Sequence, residues 1–229
     1  MCIRDRLSPG SVNATLRGSG AACFAIDQLF ALQAKNAFCV TRPPGHHAEA
    51  AKAMGFCLLN HAAVAARHAQ AVHKVKRVAI LDFDVHHGNG TQAIFAESPE
   101  VLYVSTHQSP LYPGTGFPEE RGRGNILNLP LAPGDGSAEF RNAWTAHGLP
   151  AVEQFHVDLI IVSAGFDAHQ RDPLGQLELQ DADYGWITRE IRALADRACS
   201  GRLVSILEGG YDLEALASAS LAHAEALVA

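Results

Sequence analysis

Val78-Ala-Ile-Leu-Asp82-Phe-Asp84-Val-His86-His87-Gly-Asn-Gly-Thr-Gln92 decides how the chain is built. Its first four residues are apolar on both faces, as in a strand covered on both sides within a parallel sheet. A Gly-Asn-Gly turn then hands the chain to a helical pattern over Asn89–Glu97. Leu159-Ile160-Ile161-Val162 repeats the doubly apolar signature. Working outward, the apolar, β-rich runs predict strands at Ala37–Val40, Arg77–Phe83, Val101–Ser105, Val157–Ser163 and Arg202–Leu207. Helical patterns cover Ser11–Gln33, Asn60–His73, Ser137–Phe155 and Leu213–Val228. The clearest places Tyr184, Ile187, Ile191, Leu194, Ala195 and Ala198 along one helical stripe. Strand and helix in alternation predict an α/β fold, a doubly wound and mainly parallel sheet with helices on both faces. The Gly/Pro-rich stretch Ser109–Asp135 reads as a long connection of the functional kind.

With 229 residues, 48% hydrophobic and 18% charged, the chain has enough apolar material for one full core. One domain is expected over residues 8–229, with residues 1–7 read as a leader outside it. The net charge of −6 argues against a nucleic-acid surface built on bulk charge. No apolar run has the length of a membrane helix, and Met1-Cys2-Ile3-Arg4-Asp5-Arg6 is not followed by the apolar core of a signal peptide. The five cysteines are scattered and never form a C-x-x-C pair, so reduced thiols and a cytoplasmic setting are expected.

In open parallel sheets ligands bind beyond the carboxyl ends of the strands. Here those ends carry Arg42-Pro-Pro-Gly-His46-His47, Asp82-Phe-Asp84-Val-His86, Ala164-Gly-Phe-Asp167 and Glu208-Gly-Gly-Tyr211. Asp82, Asp84 and His86 alternate, so extended backbone places them on one face. The bland reading is that Asp84 and His86 merely cap the following helix, but such a pair at a strand end can hold a metal with two ligands. With Asp167 arriving from another strand, they make three N/O ligands with an open position, the pattern of catalytic rather than structural zinc. His46 and His47, stiffened by two prolines, suit general base and acid work beside a metal. Asp82 and Asn89 are candidate acceptors to orient them. Tyr211, after two glycines, can offer its phenol to a small oxyanion. Phe56, which follows Gly55, and Tyr112 are candidate walls of a narrow entrance. Of the other histidines, His61, His68, His73, His147, His156 and His223 read as ordinary satisfied polar groups, and His87 and His107 lie near the site without an assigned role.

Together with Tyr112-Pro-Gly-Thr-Gly116, these motifs resemble, in order and over nearly the whole chain, the zinc-dependent histone deacetylase superfamily in its class II-like branch. That branch includes the bacterial histone-deacetylase-like amidohydrolases and the acetylpolyamine amidohydrolases. The resemblance implies the arginase/deacetylase fold and removal of acetyl groups from acetyl-lysine or a related acylated amine. It implies one catalytic zinc on Asp84, His86 and Asp167, with His47 as general base and acid and His46 as its electrostatic partner. Asp82 would then orient His46, Asn89 would orient His47, and Tyr211 would bond the scissile carbonyl. Gly55, Phe56 and Tyr112 would line the acyl-lysine tunnel. The family also holds structural potassium, which implies one site at Asp82, Ser105 and Thr106 and another near Phe95, Ser98 and Val101.

The family's domain normally begins with an earlier strand and a substrate-gripping loop. Nothing before Ser8 supplies them, so an N-terminally truncated domain is expected. Polyamine-selective relatives carry a glutamate at the position of Leu174, and an apolar residue there favours acyl-lysine over a second ammonium. The alternatives are an acetylpolyamine deacetylase and a truncated, non-catalytic acyl-lysine-binding module. An arginase-like ureohydrolase would need a further aspartate where Gly88 stands, and a serine hydrolase would need a G-x-S-x-G elbow that the sequence lacks. Expected partners are an acetylated lysine peptide or a small acylated amine, with no direct nucleic-acid or membrane contact; the oligomeric state is left open.

Overall fold

The computed structural model describes residues 7–229, so the expected leader lies, apart from Leu7, outside the described residues. Six strands form one sheet, every neighbouring pair parallel: β1 (Asn36–Cys39), β2 (Val78–Asp82), β3 (Val101–Gln108), β4 (Ile126–Leu131), β5 (Leu159–Ala164) and β6 (Leu203–Leu207). Their spatial order is β1-β6-β5-β2-β3-β4. The doubly apolar runs decide the middle of the sheet, because β2, β5 and β6 are buried at every position and only strands covered on both faces tolerate that.

Helices cover both faces. On one side α1 (Ser11–Phe30) and α2 (His61–His73) pack Ala22, Ala25, Ile26, Ala62, Ala65, Ala66 and Ala69 over Ile80, Ile161 and Val204. On the other, Tyr184, Ile187, Ile191 and Leu194 of α6 (Asp181–Cys199) form the predicted stripe and, with α7 (Leu213–Val228), cover Leu81, Val162 and Leu203. The short helix α3 (Asn89–Phe95) follows β2 directly.

Two expectations are corrected. Ser109–Asp135 is not all loop, because Ile126–Leu131 forms β4 along β3, with Pro130 opposite His107. A proline has no N–H for the ladder, and β4 accommodates it because it is an edge strand. The helix over Ser137–Phe155 is interrupted. It runs as α4 (Ser137–Ala143), a π-helical turn (Trp144–Gly148) and α5 (Leu149–Phe155). Pro150 would clash with the carbonyl four residues before it in a regular helix, and a widened turn relieves that clash.

The sheet brings the carboxyl ends of β1, β6, β5 and β2 side by side. Segments from four distant parts of the sequence therefore meet along one edge.

Candidate active site

Asp82 ends β2, and the next turns of chain carry Asp84 and His86 over the sheet edge, next to Asp167 from the end of β5. One oxygen of Asp84, one of Asp167 and Nδ1 of His86 lie within 4.8 Å of one another, and all three residues are buried. His86 Nδ1 stands 3.0 Å from Asp84 Oδ1 and 3.2 Å from Asp167 Oδ2. Backbone amides hold the outer oxygens in place. Val85 N donates to Asp167 Oδ1 (2.9 Å) and Gly209 N donates to Asp84 Oδ2 (2.8 Å). Gly165 and Gly209 are required here, since a Cβ at either would run into the carboxylates.

Two buried carboxylates against one imidazole leave an excess of negative charge, which is costly unless a cation compensates it. Burial and the neighbouring Asp84 charge push the Asp167 carboxyl up. Burial acts the same way on Asp84, but His46 and His86 outweigh it and hold that carboxyl low. Burial would lower His86, yet its two carboxylate partners push it up to about 10. One nitrogen and two oxygens converging at a buried, electronegative point fit a zinc ion by ligand chemistry and by number.

His46 and His47 sit beside this point. His46 Nδ1 is 3.0 Å from Asp82 Oδ2, which also accepts from the Tyr103 hydroxyl (2.9 Å). His47 Nδ1 is 2.9 Å from Asn89 Oδ1. The Asn89 amide nitrogen is turned toward Glu49 Oε1 (3.0 Å) and Met54 Sδ (3.3 Å), so its oxygen faces His47 and the imidazole donates from Nδ1. Nε2 of His47 is thereby left as the basic nitrogen. The two histidines titrate in opposite directions. Burial opposes charge on both, but Asp84 and Asp82 raise His46 well above the ordinary histidine value, whereas His47, burdened further by the His46 charge, falls well below it.

The aromatic residues surround this pair. The Tyr112 ring meets His47 edge-on at 5.1 Å and His86 at 6.3 Å. Phe56 lies 6.2 Å from the Tyr211 ring. Gly55 and Phe56 are both left-handed (φ +58° and +64°), and a Cβ on Gly55 would strike the His47 ring. Tyr211 is placed by Asp172, whose Oδ2 accepts from the Tyr211 amide (2.7 Å), and by Arg42, which stacks over the phenol ring at 5.3 Å. Burial together with Asp167 and Asp84 pushes the Tyr211 hydroxyl far up, so it stays protonated. Leu174 is half-buried and tied by its amide to Asp172 Oδ1 (3.0 Å).

Among the potassium candidates, Asp82 Oδ1 accepts from the Asp84 amide (3.1 Å), the Ser105 hydroxyl bonds His107 (2.9 Å), and the Thr106 hydroxyl accepts from Trp144 (3.1 Å). Around the other set, the carbonyls of Phe95, Ser98 and Val101 converge on Asn125 Nδ2 at 2.9, 3.0 and 2.7 Å.

Three residues have roles that the sequence reading did not assign. Glu208 is fully buried and its Oε2 accepts from the amides of Gly45 (2.6 Å) and His46 (3.1 Å), tying the histidine loop to the end of β6. Asp172 does the same for Tyr211. Asn125 gathers the three carbonyls. Glu208 adjoins Gly-Gly-Tyr in the sequence and could have been suspected; the other two carry no local signal.

The histone deacetylase domain family matches residues 4–227 of the chain. The chain belongs to the histone deacetylase family. It is 44% identical to the histone deacetylase-like amidohydrolase of Pseudomonas aeruginosa over 90% of this chain and 55% of that protein. It is likewise 44% identical to chloroplastic histone deacetylase 14 of Arabidopsis thaliana, over 89% of this chain and 50% of that one. The chain thus spans about half the length of these curated relatives. Among solved structures, the crystal structure of the HDA15 HD domain superposes with a TM-score of 0.91 at 41% identity, covering 95% of this chain and 62% of that one. The sheet and helices are accordingly those of the arginase/deacetylase α/β fold, and in this histone deacetylase family member the edge of that sheet carries the cluster described above.

Proposed function

We propose that this chain is a zinc-dependent amidohydrolase that removes acetyl groups from acetyl-lysine or a related acylated amine. The observation that carries the reading is the convergence of Asp84, His86 and Asp167 at one buried point, with a neutral, Asn89-oriented His47 beside it. Asp84, His86 and Asp167 would hold the zinc, and when bound it supplies Lewis acidity toward an acyl carbonyl and toward water.

The remaining chemistry belongs to the side chains. His47 accepts a proton from the attacking water at Nε2 and later returns one to the leaving amine. His46, charged and locked on Asp82, keeps His47 in its basic form until that proton arrives. Tyr211 donates its phenol proton as a hydrogen bond to the oxyanion that develops on the acyl carbon. Phe56 and Tyr112, with Gly55 giving the close approach, form the walls for an extended acyl-amine chain. Leu174 offers no charge for a second ammonium, which supports acyl-lysine over acetylpolyamine as the better substrate.

We assign one structural potassium site to the neighbourhood of Phe95, Ser98 and Val101 on the resemblance, although their carbonyls already accept from Asn125 Nδ2. We also assign Asp82, Ser105 and Thr106 to a second potassium site, on the resemblance alone. The four described cysteines are free thiols, which supports a reducing compartment such as the cytoplasm.

The test is a zinc-reconstituted preparation assayed on acetyl-lysine peptide and on acetylpolyamine, with zinc content measured on the same sample. Acetate release that needs zinc, faster from the peptide, is the expected result. A folded, zinc-loaded protein that releases acetate from neither substrate overturns the enzyme reading in favour of a binding module.

A further inference from the structure

Away from the sheet edge, three side chains from α1 and α2 converge at the surface. Asp27 Oδ1 lies 2.7 Å from His68 Nε2 and 2.6 Å from His73 Nε2. Apart from the catalytic cluster, this is the one group of three or more metal-ligating side chains that meets within 4.8 Å among the described residues. We propose that Asp27, His68 and His73 form a second metal site, for a divalent first-row ion such as zinc, which clips α1 to α2 independently of the catalytic centre.

The donor set is right for such an ion. Two imidazole nitrogens and one carboxylate oxygen suit zinc, copper or nickel rather than magnesium or calcium, which prefer all-oxygen shells. The geometry is near what is needed. Ligand atoms around a tetrahedral zinc stand roughly 3.3 Å apart, so the carboxylate and imidazoles need only open by well under an ångström to admit the ion. The rings are already oriented. His73, at the last turn of α2, stacks on Phe30 of α1 (centroids 4.5 Å apart, planes 13° apart), and His68 meets it edge-on at 5.9 Å. Accessibility is graded suitably, with 43% of the Asp27 side chain and about a fifth of each imidazole exposed (23% and 20%). An ion can enter from solvent and keep water at its remaining position.

The metal-free state is also accounted for. Both imidazoles donate from Nε2 to Asp27, and these bonds hold its carboxyl below the usual range. Ion entry requires each imidazole to present Nε2 without a proton, the ring proton standing on Nδ1 instead. The gain is mechanical as well, because the loop that precedes α2 carries the catalytic histidines. Asn60, the N-cap of α2, donates to Ala48 O (3.3 Å) and Thr91 Oγ1 (3.0 Å), and His61 bonds Pro43 O (3.1 Å). A clip on α1 and α2 therefore steadies the helix pair on which that loop rests.

The experiment is zinc titration of the metal-stripped full chain, with bound zinc quantified after gel filtration and thermal unfolding followed with and without zinc. Asp167→Asn removes a ligand of the catalytic centre and isolates the surface site. In that background the expected result is retention of an ion and a zinc-dependent rise in unfolding temperature. Both are lost on adding His68→Gln and His73→Gln, or on adding Asp27→Asn, which keeps the shape of the carboxyl should the double histidine change disturb folding. In an otherwise unaltered chain, Asp27→Asn should lose the second ion and keep acetate release. Zinc uptake and thermal shift that are the same with and without Asp27→Asn overturn the proposal. Failure of the enzyme reading would appear instead as absent acetate release, with the surface ion unaffected.

Discussion

The buried carboxylate of Glu208 accepts the backbone N–H of His46, and of Gly45 before it, so the end of β6 holds the histidine loop by its main chain. Its other oxygen accepts from Ser163 Oγ at 3.0 Å. Burial pushes the Glu208 carboxyl up to about 7, with His46 opposing. A neutral acceptor therefore serves nearly as well. Glu208→Gln should cost at most about 1 kcal/mol of stability and little activity, because its carbonyl can accept from both backbone amides and its side-chain NH2 can donate to Ser163 Oγ, which then serves as acceptor. Glu208→Ala leaves these groups unpaired in a dry site, at about 1–3 kcal/mol each, and should abolish most turnover. Chemical unfolding and acetate release measured side by side check this, and equal behaviour of the two variants would contradict the anchoring role.

Tyr211→Phe removes one hydrogen-bond donor and leaves the Asp172 bond to the backbone amide untouched. Loss of a single oxyanion donor costs about 100- to 1000-fold in kcat. The variant should show a loss of that size with zinc content and unfolding temperature unchanged. A change confined to KM would mean that the phenol serves binding alone.

Asn89→Asp would replace a neutral acceptor on His47 Nδ1 with an anion. A carboxylate favours the imidazolium, so the His47 value must rise. In the proposed mechanism the neutral imidazole is the active form, so the acid limb of the kcat/KM profile should move to higher pH, with activity lost on the acid side first. An unmoved limb would show that His47 is not the group whose ionisation limits the reaction.

His223, on α7, is buried between the hydroxyls of Thr188 (2.6 Å) and Ser205 (2.8 Å), with burial lowering it from 6.5 to about 3. The unfolded chain takes up this proton near pH 6.5 and the folded chain does so only near pH 3. Stability is therefore intact above pH 6.5 and falls by about 1.4 kcal/mol per pH unit below it. His87 and His107, lowered to about 3 and 4 chiefly by burial, add to the same slope. His223→Gln should flatten the slope of unfolding free energy between pH 6.5 and 4.5 by about one proton's worth. An unchanged slope would assign the acid sensitivity elsewhere.

What the sequence disclosed follows from how local each signal is. Val78–Leu81 and Leu159–Val162 announce buried parallel strands because both faces must be apolar, a property of the run itself. β4 was hidden because Asn128 and Pro130 break the apolar pattern, and only its place on the outside of β3 makes them tolerable. The π-helical turn was hidden for a similar reason, since a proline inside a helical pattern does not say whether the helix will stop or widen. At the site, Asp84 with His86 and the paired His46 and His47 are legible as short motifs. Asp172, Asn125 and the Asp27–His68–His73 cluster are not, because each acts on partners set beside it by the packing of distant elements. His68 and His73 are five residues apart, a spacing that favours neither a strand face nor adjacent helical turns, and Asp27 joins them only through the pairing of α1 with α2.

The placement of Asp167 just past the end of β5, a strand next to β2 in space, puts it 81 residues beyond His86 in the chain and also governs when the three side chains can meet. A growing chain that has passed β2 owns Asp84 and His86, and holds a bare two-ligand site for as long as β5 is unmade. Closing that span is slow compared with forming a local turn. On the proposed zinc assignment, capture of a metal with full affinity is therefore a late event, open to a molecule whose central strands have already found their partners.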